Sequence, residues 1–281
     1  MLIFKNLQDT SIHEIVEAFN LGFSDYFVPI TMTSEALQAK FDSEGIRLDF
    51  SVGVFDENKL VGFILHFYSE LNGIKRVYNG GTAVLPKYRG QGLTQRMYEF
   101  SKSILLEGKI NELVLEVVTI NSFAINAYEK IGFKKVREVE CYKGKIKPIA
   151  FENSNIQIEE IEMIPWSEID KFWDFKPTWQ NSIETMLKLQ TKIKIIGAFD
   201  ENRLIGYLVF NPSEKRIRQF AVVKEHRKKG VGSQLFSYVT TLEKDDVSLI
   251  NLENIAYIKS FFEKVGLKNT VNQYEMIMRI N

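Results

Sequence analysis

Two nine-residue segments of this chain have nearly the same sequence. Residues 55–63 read FDENKLVGF and residues 199–207 read FDENRLIGY, at an offset of 144 residues (199 − 55). Arg89 corresponds to Arg227 at an offset of 138 residues, and residues 128–133 (YEKIGF) match residues 262–267 (FEKVGL) at an offset of 134. Matches in the same order with decreasing offsets indicate a folding unit that occurs twice. The 281 residues suffice for two cores, which we place in residues 1–145 and 155–281.

Hydrophobic patterning predicts the same order of elements in both halves. Asp-Glu-Asn between two apolar runs predicts a hairpin, and the next strand leads into a helix with one apolar face. In the first half we expect helices at 11–21, 34–41, 93–104 and 122–130, and strands at 50–55, 60–68, 76–85, 112–118 and 134–142. The predicted apolar stripes are Leu93, Met97, Phe100 and Ile104 in one half, and Val231, Leu235, Val239 and Leu242 in the other.

The predicted fold class is α+β, with two tandem domains that each hold a mostly antiparallel mixed sheet flanked by helices. Residues 143–155, which include Gly144, Pro148 and two asparagines, are expected to form the linker.

Each half also contains a glycine-rich turn between a strand and a helix. The first runs Arg89-Gly90-Gln91-Gly92, and the second ends in Gly230-Val231-Gly232. Unpaired N–H groups and the positive end of the helix dipole make such a turn a seat for phosphate. Glycine tolerates positive φ and lets phosphate oxygens approach the backbone closely. The sequence therefore predicts a phosphorylated cofactor bound at least once.

Arg89-x-x-Gly92-x-Thr94 and Arg227-x-x-Gly230-x-Gly232 resemble the pyrophosphate-binding motif Q/R-x-x-G-x-G/A of the GCN5-related N-acetyltransferases (GNAT). The run from Asn121 to Phe133 is similar to that family's second signature. The resemblance covers essentially the whole chain as a tandem pair. It implies acetyl-CoA as cosubstrate and no metal, and it assigns the cofactor-binding positions Ala83, Val84, Leu85, Arg89, Gly90, Gln91, Gly92, Leu93, Thr94, Asn121, Arg227, Gly230, Val231 and Gly232.

Several of these roles have an alternative. Arg89 and Arg227 either contact phosphate or hold the turn in place. Asn121 either contacts the cofactor or caps the following helix. By the resemblance, backbone groups of Ala83, Val84 and Leu85 would pair with the pantetheine arm, where the strand parts from its neighbour. No particular side chain is needed there.

By the same resemblance, Tyr128 is the catalytic acid that protonates the departing thiolate. The alternative is a tyrosine packed on its helix with the hydroxyl at the surface. The second half has Phe262 at this position and no proton to donate, so we expect the first half to catalyse. Glu116 and His66 are the candidate bases, each with a purely structural alternative. Aromatic residues ahead of each sheet either form an acceptor wall or fill the core: Phe19, Phe23, Tyr26 and Phe27, and Trp166, Phe172, Trp173, Phe175 and Trp179.

The predicted function is an acetyl-CoA-dependent N-acetyltransferase acting on a small-molecule or peptide amine. The alternative is a non-catalytic coenzyme A-binding sensor or scaffold. A formal net charge of zero argues against nucleic-acid and membrane partners. One cysteine, Cys141, and an N-terminus without a leader pattern predict a cytoplasmic protein, and the three histidines show no metal-ligand spacing. The acceptor is not predicted, and an oligomer is compatible with the sequence.

Overall fold

A computed structural model describes residues 1–27, 30–71, 73–149 and 155–280. Its contacts divide the chain into two units. The first comprises Met1–Val136 with Tyr274–Asn281, and the second comprises Arg137–Gln273. The first unit therefore combines two separate segments of the chain, and the second unit is the continuous segment between them.

The first unit is built on strands that are mainly antiparallel. They are β1 (Leu2–Asn6), β2 (Val52–Asp56), β3 (Lys59–Leu71), β4 (Ile74–Val84) and β5 (Glu112–Val118). Strands β1 to β4 pair antiparallel in sequence order, and β4 pairs parallel with β5. The helices are α1 (Ile12–Gly22), α2 (Ser34–Glu44), α3 (Leu93–Glu107) and α4 (Ser122–Ile131).

The helix ends of this unit follow from local chemistry. Ser11 caps α1 in a capping box with Glu14, whose carboxylate accepts from the Ser11 N–H. Gly132 ends α4 in the left-handed region at φ 115°, where a Cβ would be strained. The predicted turn at residues 56–58 closes the β2–β3 hairpin, with Asp56 opposite Lys59.

The core of the first unit lies between the sheet and α3 and α4. Leu93 and Met97 are buried there as predicted, and each buried side chain of this size stabilises the fold by roughly 1.5–3 kcal/mol. The prediction is wrong for Phe100, which is exposed. Tyr98 and Leu105 are buried instead, so the buried face of α3 is turned relative to the predicted stripe.

The second unit repeats the order of elements. From residue 155 onward its elements are β7 (Ile156–Ile161), α5 (Ile183–Lys188), β8 (Lys194–Asp200), β9 (Arg203–Asn211), β10 (Arg216–Val222), α6 (Val231–Leu242), β11 (Val247–Glu253) and α7 (Ala256–Val265). Strands β7 to β10 pair antiparallel in sequence order, and β10 pairs parallel with β11. Three members of the predicted α6 stripe, Val231, Leu235 and Val239, are buried.

Two further strands, β6 (Lys134–Gly144) and β12 (Lys268–Arg279), each contribute to both units. Residues 139–144 of β6 pair antiparallel with β11 of the second unit. The end of β12 lies beside β5 in the first unit, where Met276 is fully buried and the Ile280 N–H donates to the Asn111 carbonyl. The C-terminal segment of the chain therefore completes the core of the first unit.

The predicted fold class is confirmed: each unit holds a mostly antiparallel mixed sheet flanked by helices. The domain boundaries at 145 and 155 stay a prediction. The division by contacts differs from them, because residues 137–144 pair within the second unit and the last strand returns to the first. Residues 150–154 of the predicted linker lie outside the described residues.

Candidate functional site

The backbone of the first glycine turn has the conformation expected of a phosphate-binding turn. Gly90 (φ 76°) and Gly92 (φ 67°) are both left-handed, and a Cβ on either would meet no atom within 4 Å. Gly92 begins α3 without a side-chain cap, so no side chain occupies the N–H groups of the first helical turn. Leu93 is buried, and it can contribute to such a seat only through its backbone. Open space, left-handed glycines and an uncapped helix fit a pyrophosphate.

Arg89 holds this turn against the end of α1. Its guanidinium forms a two-pronged ion pair with Asp25, at 2.6 and 2.8 Å. It also donates to the Gly22 carbonyl at 2.9 Å and, through Nε, to the Val84 carbonyl at 3.0 Å. The hydrogen bond from Arg89 lowers the pKa of Asp25, which keeps the carboxylate charged. These contacts favour the second of the two roles considered for Arg89, that of pinning the turn.

Strands β4 and β5 separate ahead of the turn, in the middle of β4. Their parallel pairing covers three positions and ends at Tyr78 opposite Val114. The edge of β4 beyond Tyr78 is therefore free of the β5 ladder, as expected for a strand that receives an extended ligand. In the predicted segment, the Leu85 N–H already donates to the Val61 carbonyl, and Ala83 pairs with Phe63 of β3.

Side-chain hydroxyls gather at this separation. Asn79 Nδ2 donates to both Thr82 Oγ1 and the Tyr98 hydroxyl, each at 2.7 Å. Tyr128 packs edge-on against the Tyr98 ring. Burial raises the pKa of Tyr128 to about 12, although side-chain hydrogen bonds with Thr82 and Asn79 lower it. Tyr128 is thus buried within a polar cluster, and its hydroxyl does not lie at the surface.

The segment after α1 reaches the same region. Tyr26 hydrogen-bonds the Asn121 side chain, and its proximity raises the pKa of Tyr128. Asn121 also accepts from the Ala124 N–H at 3.1 Å and caps α4, so the capping role is present. Of the proposed acceptor aromatics, Phe19 is buried and Phe27 is exposed, while the rings of Phe23 and Tyr26 make an edge-to-face contact.

The two candidate bases differ in their surroundings. Glu116 is half-buried on β5, beyond the paired part of the strand, and accepts from the Tyr78 hydroxyl at 2.5 Å. His66 is fully buried, donates from Nδ1 to the Phe50 carbonyl at 2.8 Å, and has a pKa lowered by burial to about 4. His66 is therefore neutral at pH 7 and a weak base, while the role of Glu116 stays a prediction.

The second glycine turn has the same construction with one substitution. Gly230 (φ 88°) begins α6 without a side-chain cap, and Lys228 takes the left-handed position of Gly90 at φ 60°. For a residue with a Cβ this conformation costs roughly 1–2 kcal/mol. A Cβ on Gly232, the counterpart of Thr94, would make ordinary contact with Phe261.

Arg227 in the second unit repeats the contacts of Arg89. Its Nη1 pairs with Asp174 at 2.6 Å, Nη2 donates to the Phe172 carbonyl and Nε to the Val222 carbonyl. The same three kinds of partner in both units indicate a duplicated structural device.

The hydroxyl cluster has no counterpart in the second unit. At the offset of 138 residues that relates Arg89 to Arg227, Thr82 corresponds to Phe220 and Tyr98 to Phe236. At the offset of 134, Tyr128 corresponds to Phe262. The three phenylalanines pack on one another, with ring centroids 5.1 to 6.1 Å apart. The second unit thus has an apolar cluster where the first has proton donors.

A cleft of about 610 Å³ opens in the second unit beside its glycine turn. Strand β10 pairs with β11 at a single position, Arg216 opposite Ser248, so these strands also separate. The cleft is lined by aromatic side chains, including Phe172, Trp173 and Phe175, and Lys228 stands among its lining residues. Three of the five aromatics considered for an acceptor wall therefore line this cleft, whereas Trp179 is buried and Trp166 packs against the core, so the acceptor role stays a prediction.

Among the described residues, no group of three or more histidine, cysteine, aspartate or glutamate side chains could hold a metal ion. None of the helices described is long and apolar enough to cross a membrane.

Comparison with known protein families gives two matches. The model described as "Acetyltransferase (GNAT) family" matches residues 13–133, and "Acetyltransferase (GNAT) domain" matches residues 167–277. The chain belongs to the GNAT acetyltransferase family. The two matches together cover most of the sequence and confirm the tandem arrangement.

Individual relatives are distant. N-alpha-acetyltransferase 30 of Schizosaccharomyces pombe is 26% identical over 95 residues, 34% of this GNAT chain and 63% of that protein. An N-alpha-acetyltransferase of Saccharolobus solfataricus is 34% identical over 104 residues, 34% of this chain and 62% of that protein. The chain thus spans somewhat under two thirds of the length of these curated relatives.

A tandem GNAT protein from the clavulanic acid biosynthesis pathway, solved without acetyl-CoA, shares the fold at a TM-score of 0.73 and 14% identity. The alignment covers 100% of this chain and 99% of that one.

Three residues of the first-unit site were missed at the level of sequence: Asn79, Thr82 and Tyr98. Tyr98 lies off the predicted apolar stripe, and the other two lie in a strand where only backbone groups were assigned. A signal was present, since the repeat aligns Thr82 and Tyr98 with phenylalanines, as it does Tyr128.

Proposed function

We propose that this chain is an acetyl-CoA-dependent N-acetyltransferase and that its first unit transfers the acetyl group to a primary amine. One observation carries the proposal: Thr82, Tyr98 and Tyr128 gather at the separation of β4 and β5. The second unit has phenylalanine at all three positions. A hydrogen-bond donor beside the sulfur favours release of a thiolate, and the first unit has hydroxyl groups at this position that can donate.

When bound, acetyl-CoA would supply the acetyl group as an activated thioester. Gly90 and Gly92, with the N–H groups that start α3, would hold its pyrophosphate. The backbone of β4 beyond Tyr78 would align the pantetheine arm with the strand. Arg89 would act indirectly, because its ion pair with Asp25 fixes the turn.

Tyr128 would act mainly as a hydrogen-bond donor. Its pKa of about 12 keeps the hydroxyl protonated at neutral pH, so it is available to donate. The Tyr128 hydroxyl would stabilise the developing charge on sulfur, while the net proton comes from the amine that is acetylated.

The acceptor proposed first is an α-amino group, such as a peptide amino terminus. At pH 7.4 roughly a third of α-amines are neutral, against about 0.1% of lysine side chains. The candidate base His66, with a pKa of about 4, has little power to deprotonate lysine. The names of the two curated relatives also specify N-alpha acetylation, although each aligns with only about a third of this chain.

The test is release of free thiol from acetyl-CoA with a panel of acceptors. We expect turnover with peptides that carry a free amino terminus, and less with the same peptides blocked at that terminus but containing lysine. Small-molecule amines complete the panel. Acetyl-CoA binding without thiol release on any acceptor would contradict the proposal.

A second candidate function, non-catalytic binding of coenzyme A, is favoured for the second unit. Its cleft of about 610 Å³ adjoins an uncapped helix and a left-handed turn, while Phe262 offers no proton. We propose that this unit binds a ligand of the same class and does not transfer its acyl group.

A further inference from the structure

The cleft of the second unit contains a buried arginine that the proposed function does not use. Arg218 lies on β10 where the register with β9 shifts between Ile217 and Gln219, so it is the extra residue of a β-bulge. Bulges redirect side chains and recur next to active sites. Arg218 lines the cleft, with 1% of its side chain exposed.

The guanidinium of Arg218 is only partly satisfied by the protein. Nη1 donates to the Gln180 carbonyl at 3.1 Å, and Nη2 donates to Glu214. Nε is buried and has no hydrogen-bond partner among the described residues. A buried donor without a partner is costly, which points to an acceptor oxygen that arrives with a ligand.

The charges that line the cleft favour an anionic acceptor. Glu214 partly compensates Arg218 through its ion pair with Nη2, but the lining also contains the cations Arg227, Lys228 and Lys264 against the single carboxylate of Asp174 among its described residues. Lys228 lies in the turn that precedes the uncapped start of α6, and Lys264 of α7 also lines the cleft. The lining includes aromatic side chains, with Trp173 among its members. The cleft thus has a cationic turn, an apolar wall and a buried cation.

The first unit differs at this position. Gly80 stands where the second unit has Arg218, and a Cβ there would lie 2.3 Å from the Phe67 ring. The first unit therefore has no room for a charged side chain at the equivalent bulge, which suits a small neutral acetyl group.

We propose that the second-unit cleft binds a coenzyme A thioester whose acyl group ends in a carboxylate, and that Arg218 Nε donates a hydrogen bond to that carboxylate. The ligand class rests on the proposed function, because the family relationship supplies coenzyme A. The selectivity rests on Arg218. The second unit would thereby distinguish dicarboxylic acyl groups from the acetyl group used by the first.

Calorimetric titration of the full chain tests the proposal, with Gly92→Val added to disable the first-unit turn. The probes are coenzyme A, acetyl-CoA and succinyl-CoA. We expect one equivalent of succinyl-CoA to bind at least about tenfold more tightly than acetyl-CoA. Arg218→Met should remove this preference and leave coenzyme A affinity within twofold. Equal affinities in the chain that keeps Arg218, no binding of any probe, or a preference that survives Arg218→Met would overturn the proposal.

Glu214→Gln provides a second test that does not disturb the core, because Glu214 is partly exposed. Removing the competing carboxylate should strengthen succinyl-CoA binding about threefold and leave acetyl-CoA binding unchanged. If Arg218→Met fails to fold, an unaltered preference in Glu214→Gln overturns the proposal. Thiol release by the unmodified chain is measured in parallel. Intact turnover without second-unit binding refutes only this inference, and lost turnover with binding retained refutes only the proposed function.

Discussion

The two units share a backbone plan and differ in the chemistry of the side chains that line it. Both have separated parallel strands, an uncapped helix after a left-handed turn, and an arginine pinned to an aspartate. In the first unit the space beside the strands holds hydroxyls around Asn79. In the second it holds three phenylalanines and, on the bulge, Arg218.

The comparison shows that the backbone of the turn and the side chains beside the separated strands differ independently. The left-handed turn and the uncapped helix occur in both units although most of their side chains differ. The hydroxyl cluster depends on three side chains from three elements, and substitution at those positions removes it.

The largest effect is expected from Gly92→Val. Gly92 has φ 67°, where a β-branched residue is strained, and a side chain there would occupy the phosphate seat. We expect thiol release to fall at least about a thousandfold, equivalent to about 4 kcal/mol.

Gly73→Val is the matched control for Gly92→Val. Gly73 has φ 76° with nothing within 4 Å of a Cβ, and it lies in the β3–β4 turn. It should introduce similar backbone strain and keep turnover within twofold. If Gly230→Val abolished turnover and Gly92→Val did not, catalysis would belong to the second unit.

Acid should destabilise the first unit more than the second. The buried His66 of the first unit can be protonated, whereas its counterpart in the second unit is the buried Phe210. Burial lowers the pKa of His66 to about 4, against about 6.5 in an unfolded chain. Protonation therefore favours unfolding. The contribution of neutral His66 to the free energy of unfolding is complete above about pH 6.5. It falls by about 3 kcal/mol as the pH is lowered to about 4.

The measurement is the melting temperature of the first transition between pH 7.5 and 4. His66→Phe, which copies the second unit, should flatten this dependence. An equally steep dependence in that variant would show that other groups cause it.

Tyr128→Phe should convert the first site toward the second. We expect kcat to fall at least about tenfold with the KM for acetyl-CoA nearly unchanged, because only a transition-state contact is lost. Tyr68→Phe is the control, since it removes a hydroxyl that bonds Glu70 near the surface of the same unit. Unchanged turnover in Tyr128→Phe would exclude Tyr128 from the reaction.

The smallest effect is expected from Tyr98→Phe, which copies Phe236. It removes the hydroxyl that accepts from Asn79 and should cost about 1 kcal/mol of unfolding free energy. We expect turnover to fall about threefold through misplacement of Tyr128. Combined with Tyr128→Phe, it should add little further loss of turnover, because the two residues act together. Fully multiplicative losses would mean that the residues act independently.

Much of this molecule could be predicted from sequence because the information is local. The 56–58 turn, the strand at 112–118 and the helix that ends at Gly132 follow from short patterns, and the structure has them. The glycine turns could also be predicted, because a left-handed backbone before a helix leaves a direct mark on the sequence.

The unpredicted features depend on contacts between distant residues. Arg89 forms an ion pair with Asp25, 64 positions away in the sequence. The motif alone did not indicate that this arginine would bind an aspartate of the protein. Phe100 is exposed and Tyr98 buried because neighbouring elements set the rotation of α3, and spacing alone did not reveal it. Lys228 also has a left-handed backbone conformation, which could not be predicted because the position is not a glycine.

The last strand has a consequence for the order in which the chain can fold. Met276 is fully buried in the first unit, and the Ile280 N–H bonds to Asn111. A ribosome synthesises the chain from the amino terminus, so most of the first unit emerges early and waits with an unfilled position in its sheet. It becomes complete only after residues 274–280 have been released, and the half that is made first is therefore finished last.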